Sequence, residues 1–193
     1  MNNEERVKFP SKYLEVLKAT EAIEFKMSSD VLTGQFLRTL AVTKPKGRFL
    51  EIGTGTGLSA TWLLEGMDDG STLLSFDNDP VVSAVAEKVL AGDRRLILRV
   101  GDGAEIIQSL TGQTFDLIFA DSWPGKYNTL EETLRLVAPG GFYVVDDMLP
   151  QPNWPEGHAQ KVDDLKVKLA SLEDFHVCPM DWSTGLVVCA RKS

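Results

Sequence analysis

The sequence predicts an α/β fold: an open, mostly parallel sheet with helices on both faces, ending in an antiparallel hairpin. Three observations carry that prediction. Short apolar runs alternate with stretches of helix length from Arg48 to Val145. Three glycines, Gly53, Gly55 and Gly57, follow the first run, and Leu58 to Glu65 then resumes a helical pattern. Two apolar runs near the end, Phe175 to Met180 and Leu186 to Ala190, are joined only by Asp181 to Gly185. So short a connection permits only antiparallel pairing.

Composition narrows the class. At 193 residues the chain suits one domain, 1–193, whose core needs no disulfide staple. A net charge of −8 disfavours a nucleic-acid partner, which needs a basic footprint. No apolar run approaches the roughly 20 residues of a membrane span. The stretch Met1 to Glu5 has neither the basic nor the apolar region of a signal peptide, so a cytoplasmic location is expected. Cys178 and Cys189 lack metal-ligand spacing and are expected to be core thiols. With His158 and His176 the only histidines, a zinc site is not expected.

In chain order, residues 1–10 read as frayed, and a helix runs from Ser11 to about Phe25. Tyr13, Val16, Leu17, Ile23 and Phe25 form its loose apolar stripe. Together with the next helix it makes an amino-terminal unit, 1–44, with three readings: packing, a lid or a dimer contact. Ser28, Ser29 or Asp30 can cap the second helix, which runs through Leu40. Arg48 to Ile52 is the first strand. Thr72 to Phe76 is the second, followed by a helix from Pro80 to about Ala91. Leu96 to Val100 is the third, followed by Gly101 to Ala104 and a short helix. Phe115 to Ala120 is the fourth. Tyr127 to Val137 is predicted as a helix closed by Pro139-Gly140-Gly141, and Phe142 to Val145 is the fifth strand. Residues 148–157 are too rich in proline for helix or ladder, and a helix then runs to about Leu172.

The glycine spacing is informative. Dinucleotide sites want glycines at positions one, three and six of the turn, but here position six from Gly53 is Leu58. Glu51 also stands two residues before the first glycine. Glu51-x-Gly53-x-Gly55-x-Gly57 resembles motif I of the class I S-adenosylmethionine-dependent methyltransferases. Five parallel strands and a terminal hairpin likewise resemble that family's seven-stranded, Rossmann-like sheet. The resemblance implies S-adenosylmethionine as cofactor, held around Glu51, Gly53, Thr54, Gly55, Gly57 and Ser59. Asp77, twenty residues after Gly57, can accept from both ribose hydroxyls, with Asn78 beside it. Asp102, with Gly103 and Ala104, resembles the family's adenine contact. Acids at both positions suit a cofactor without phosphates, which they would repel.

Three further acids fall at strand ends: Asp121, Asp146 and Asp147. Side by side in a partly dry cleft they require a cation or a proton. Hard oxygen ligands favour Mg²⁺ or another divalent cation over zinc. Asp121-Ser122-Trp123 with Tyr127, then Val145-Asp146-Asp147-Met148, is similar to the small catechol and caffeoyl-coenzyme A O-methyltransferases. In that family these acids hold Mg²⁺, which chelates neighbouring acceptor oxygens. The likeness covers roughly Met27 to Asn153, and it implies that Asp121 is shared between metal, cofactor and chemistry and that Trp123 flanks the adenine. Two departures stand out. Asp147 replaces the family's asparagine, and Pro124 replaces its proton-accepting lysine, leaving Lys126 as the catalytic candidate. His158 is an alternative base, expected to be exposed. Met148, Leu149 and Trp154 are expected to cover a flat acceptor.

The combined expectation is methyl transfer to an oxygen of a small, possibly aromatic molecule. A homodimer is what the resemblance suggests. A non-catalytic S-adenosylmethionine-binding module and an NAD-dependent oxidoreductase are the alternatives.

Overall fold

The structure, a computed structural model, describes residues 7–152 and 154–193. Its helices are α1 (Tyr13–Ala22), α2 (Val31–Ala41), α3 (Leu58–Gly66), α4 (Pro80–Leu90), α5 (Gly103–Ser109), α6 (Leu130–Arg135) and α7 (His158–Ala170). Its strands are β1 (Arg48–Ile52), β2 (Thr72–Asp77), β3 (Leu96–Val100), β4 (Phe115–Ala120), β5 (Val137–Val145), β6 (Phe175–Met180) and β7 (Leu186–Arg191). They form one seven-stranded sheet in the order β3-β2-β1-β4-β5-β7-β6. β1 to β5 are parallel, and β7 runs antiparallel to both of its neighbours. The predicted sheet and hairpin are therefore present. Among the described residues no helix is long and apolar enough to cross a membrane.

Adjacent strand residues face opposite sides, so a sheet covered on both faces needs nearly continuous apolar strands. Leu50, Ile52, Ile118 and Val145 pack against Ile107 of α5, Leu134 of α6 and Leu165 of α7. Phe49, Leu73, Leu117 and Val144 face the other way, against Val16, Leu37, Leu63 and Ala86 of α1 to α4. Central strands β1 and β4 thereby lose almost all exposure, whereas edge strand β3 keeps Ile97 and Val100 exposed.

The ends of the chain depart from expectation. Residues 7–10 are not frayed: Phe9 stacks on Tyr13 with ring centres 4.8 Å apart, and the Lys8 carbonyl accepts from Arg38 at 2.8 Å. Residues 1–6, including the stretch Met1 to Glu5 read for a signal peptide, lie outside the described residues. α1 buries Tyr13 and Val16 in the core. The helix predicted over 127–137 shrinks to six residues, and Pro139-Gly140-Gly141 lies inside β5 instead of closing a helix. Sheet pairing overrides the local signal: Val137 aligns with Phe115, the register then shifts before Leu117, and Arg191 donates to the Val137 carbonyl. Cys189 is buried as expected, but Cys178 is exposed because β6 is the outer edge.

Candidate active site

The order of strands reverses between β1 and β4, and open α/β sheets bind ligands beyond the carboxyl ends of strands at such a point. Here β1 turns through Gly53, Gly55 and Gly57 with φ of 104°, 51° and 92°, values that side chains disfavour. A Cβ on Gly53 would stand 2.9 Å from the Asp121 carbonyl. The turn is tied to β2 at three points. Gly53 and Thr54 amides donate to the Phe76 carbonyl at 2.9 and 3.0 Å, and the Gly55 amide donates to Asp77 Oδ2 at 2.8 Å. Helix α4 is capped instead by Asp79, which accepts from the Val81 and Val82 amides. That division of labour leaves Asp77 at the cavity wall.

The cavity holds about 640 Å³, ordinary for a small-molecule site. Gly53, Thr54, Gly55 and Ser59 line one end, with Asp77, Asn78, Asp102 and Gly103 beside them. Asp121, Trp123, Lys126, Asp146 and Asp147 line the other. Asp102 also caps α5, accepting from the Glu105 amide at 3.0 Å. Trp123 is half exposed at the cavity edge, with the Lys161 ammonium 4.0 Å above its ring, and so plays no core role.

Three predicted contacts do not line the cavity. Gly57 precedes α3, and a Cβ there would stand 2.9 Å from Ala86, so it serves helix packing. Ala104 lies in the first turn of α5, behind Gly103. Glu51 is fully buried beneath the glycine turn, where Ser75 bridges its Oε2 to Thr54. Burial pushes its carboxyl up to about 7, against the pull of the Ser75 and Ser59 hydroxyls.

At the other end of the cavity the carboxylates are more densely supported. Asp121 Oδ2 accepts from the Ser29 hydroxyl at 2.7 Å. Asp146 Oδ1 accepts from the Thr184 hydroxyl and from the Asp147 amide. Asp147 itself adopts a left-handed φ of 58°, the sort of strain that concentrates at functional sites. Burial, followed by the charge of Asp146, raises the Asp121 carboxyl. Burial raises that of Asp146 too, with Thr184 opposing. Lys126 is buried among them, 3.7 Å from Asp121 Oδ1 and donating to the Asp146 carbonyl at 2.8 Å.

Several cavity residues were not anticipated or were misplaced. Ser29 was legible only as a possible cap, a task that Asp30 performs by accepting from the Thr33 amide. Thr184 comes from the β6–β7 turn, far along the chain. His158 is buried rather than exposed, because Trp154 packs on it with ring centres 4.7 Å apart. Its Nε2 lies 3.2 Å from the Tyr127 hydroxyl, and its Nδ1 has no partner among the described residues. Burial, followed by the charges of Lys126 and Lys161, holds the imidazole below its usual pKa. Met148, expected over the acceptor, is in the core instead, while Trp154 does line the cavity. Asn153 lies outside the described residues.

The predicted metal set, Asp121, Asp146 and Asp147, reaches one rim, but with an ammonium in its midst. Among the described residues no three His, Cys, Asp or Glu side chains gather as a metal cradle. As arranged, these residues do not fit a divalent ion.

A family model described as a methyltransferase domain matches residues 50–148, just over half of the chain, and the chain belongs to that family. A protein of Mycobacterium sp. (strain JLS), provisionally named an O-methyltransferase, is 32% identical over 168 residues, which is 82% of this chain and 76% of that protein. A Mycobacterium avium protein with the same provisional name is 36% identical over 100 residues, 49% of this chain and 45% of its own length. The chain thus spans about half of that relative. Two solved structures share the fold, each with a TM-score of 0.84. One is the O-methyltransferase TomG of Streptomyces achromogenes with S-adenosylmethionine, at 22% identity over 97% of this chain and 92% of that one. The other is a Bacillus cereus O-methyltransferase with S-adenosylhomocysteine, at 19% identity over 97% and 93%.

Proposed function

We propose that this protein transfers a methyl group from S-adenosylmethionine to an oxygen of a small, flat acceptor. The observation that carries the reading is the glycine turn tied to Asp77 and opening on the same cavity as Asp121 and Asp146. The backbone of Gly53 and Gly55 lines the space for a nucleoside, and Asp77 faces it with a carboxylate that suits two ribose hydroxyls. Among the described residues six aspartates and two lysines line the cavity, which suits a cationic sulfonium and opposes a pyrophosphate. That balance, with the glycine spacing, is what disfavours an NAD-dependent oxidoreductase.

S-adenosylmethionine supplies an electrophilic methyl carbon. The chain's task is to align an acceptor oxygen behind that carbon and exclude water. Trp154 and Tyr127 supply the flat walls for the acceptor. Asp121 and Lys126, expected to be catalytic, fix the charge at this end. The proton acceptor in our reading is His158, acting through the Tyr127 hydroxyl, because burial keeps the imidazole neutral near pH 7. A neutral base is the form that general-base catalysis needs.

The resemblance also implied a divalent cation at Asp121, Asp146 and Asp147; those acids do call for positive charge, and Lys126 brings it. The test is methyl transfer from labelled S-adenosylmethionine to a panel of diphenols and related phenols. Labelled ethers are expected. Cofactor binding without transfer to any acceptor would point to a non-catalytic binding module.

A further inference from the structure

Among the described residues Lys126 is the one buried lysine, its side chain 4% exposed. It reaches inward because of the turn that carries it. Gly125 has φ +82°, and a Cβ there would stand 2.7 Å from Ile52 Cδ1. The Lys126 and Tyr127 amides both donate to the Trp123 carbonyl, at 3.2 and 3.0 Å, and the Gly125 amide donates to the Asn128 carbonyl at 2.8 Å. The Tyr143 hydroxyl holds the Gly125 carbonyl from the core side.

We infer that the Lys126 ammonium is a built-in cation that takes the place of a divalent ion at the Asp121–Asp146 rim, so that the acceptor end works without metal. The ammonium sits 3.7 Å from Asp121 Oδ1 and 2.8 Å from the Asp146 carbonyl. Two other carboxylate oxygens there already have donors. Ser29 serves Asp121 Oδ2, and Thr184 with the Asp147 amide serves Asp146 Oδ1. A Mg²⁺-like ion needs several of these same oxygens in near-octahedral array and would lie against a like charge. An ammonium engaged this way acts as a positioning group, which is why the proton falls to another residue. The inference deepens the methyl-transfer reading, but its test does not depend on it.

That test is Mn²⁺ binding, followed by the loss of the free-ion electron paramagnetic signal, on the whole protein. Wild type should bind no Mn²⁺ up to about 1 mM, the weak limit of protein sites for hard cations. Lys126→Ala and the longer Lys126→Met should each gain a site, with affinity about tenfold or more above wild type. Adding Asp146→Asn should remove the gain. Thermal melts identify which variants are folded. A wild-type site that Asp146→Asn abolishes would overturn the inference. So would a folded Lys126 variant that binds no better than wild type. If the Mn²⁺ pattern holds but no acceptor is methylated, the methyl-transfer reading fails and the built-in cation stands.

Discussion

The two ends of the cavity handle buried acid differently. Beneath the cofactor end, Glu51 has no cation among the described residues; hydroxyls and a raised pKa accommodate it. At the acceptor end, Asp121 and Asp146 share a buried lysine and three supporting donors. The first arrangement is local, because β1, its turn and β2 are sequence neighbours pairing in register. The second draws on Ser29, the turn around Gly125, and Thr184, which only the folded sheet brings together. One end is therefore built from neighbouring segments of the chain, and the other is assembled from segments remote in sequence.

If the cofactor end works as described, its loss has the largest effect. Asp77→Ala should weaken cofactor binding by about 4 kcal/mol, since two charge-assisted hydrogen bonds go with it, while acceptor-end spectra stay unchanged. Calorimetry with S-adenosylhomocysteine decides it, and unaltered affinity would remove Asp77 from the ribose role.

Glu51 tests the contrast in buried acids. Its folded pKa of about 7 lies above the ordinary 4.5, so the folded state holds the proton more tightly than the unfolded state. Stability linked to that proton is complete below pH 4.5, falls as pH rises to about 7, and is flat beyond. The displacement corresponds to about 3 kcal/mol. Denaturant unfolding of Glu51→Gln should lack that share of the decline. Matching slopes for both proteins would mean that Glu51 is ionised at little cost.

The acceptor end should respond in rate instead of stability. His158→Ala is expected to lower kcat by roughly a hundredfold with cofactor affinity intact. In wild type, kcat/KM should fall on the acid side at a pH below 6.5, because the imidazole is held below that value. An acid limb that survives in His158→Ala would assign the proton elsewhere. The smallest change is Trp154→Ala, which should cost acceptor binding about 1 kcal/mol of aromatic contact and leave the cofactor untouched. Equal acceptor KM in both proteins would put Trp154 outside the acceptor wall.

The same contrast sets what a sequence reader can see. Gly53, Asp77 and Asp102 were legible because strand, turn and helix signals are short-range and their order dictates which strand ends meet. The extent of β5 was not, since Pro139-Gly140-Gly141 looks like a helix stop until β4 and Arg191 claim the segment. His158 looked exposed at the start of a helix, and only the fold-back of Trp154 buries it. Lys126 stood at the wrong spacing from Asp121, and the left-handed Gly125 turn that tucks it inward has no signature beyond one glycine. Thr184 carried no signal and Ser29 only that of a possible cap, because their partners are remote in sequence.

In the methyl-transfer reading the glycine turn and Asp77 hold S-adenosylmethionine. Calorimetric titration with S-adenosylhomocysteine, with NAD as the control ligand, addresses it most directly. A single saturable site for S-adenosylhomocysteine and no heat with NAD is the predicted result. Saturable NAD binding without any response to S-adenosylhomocysteine would contradict the account at its root.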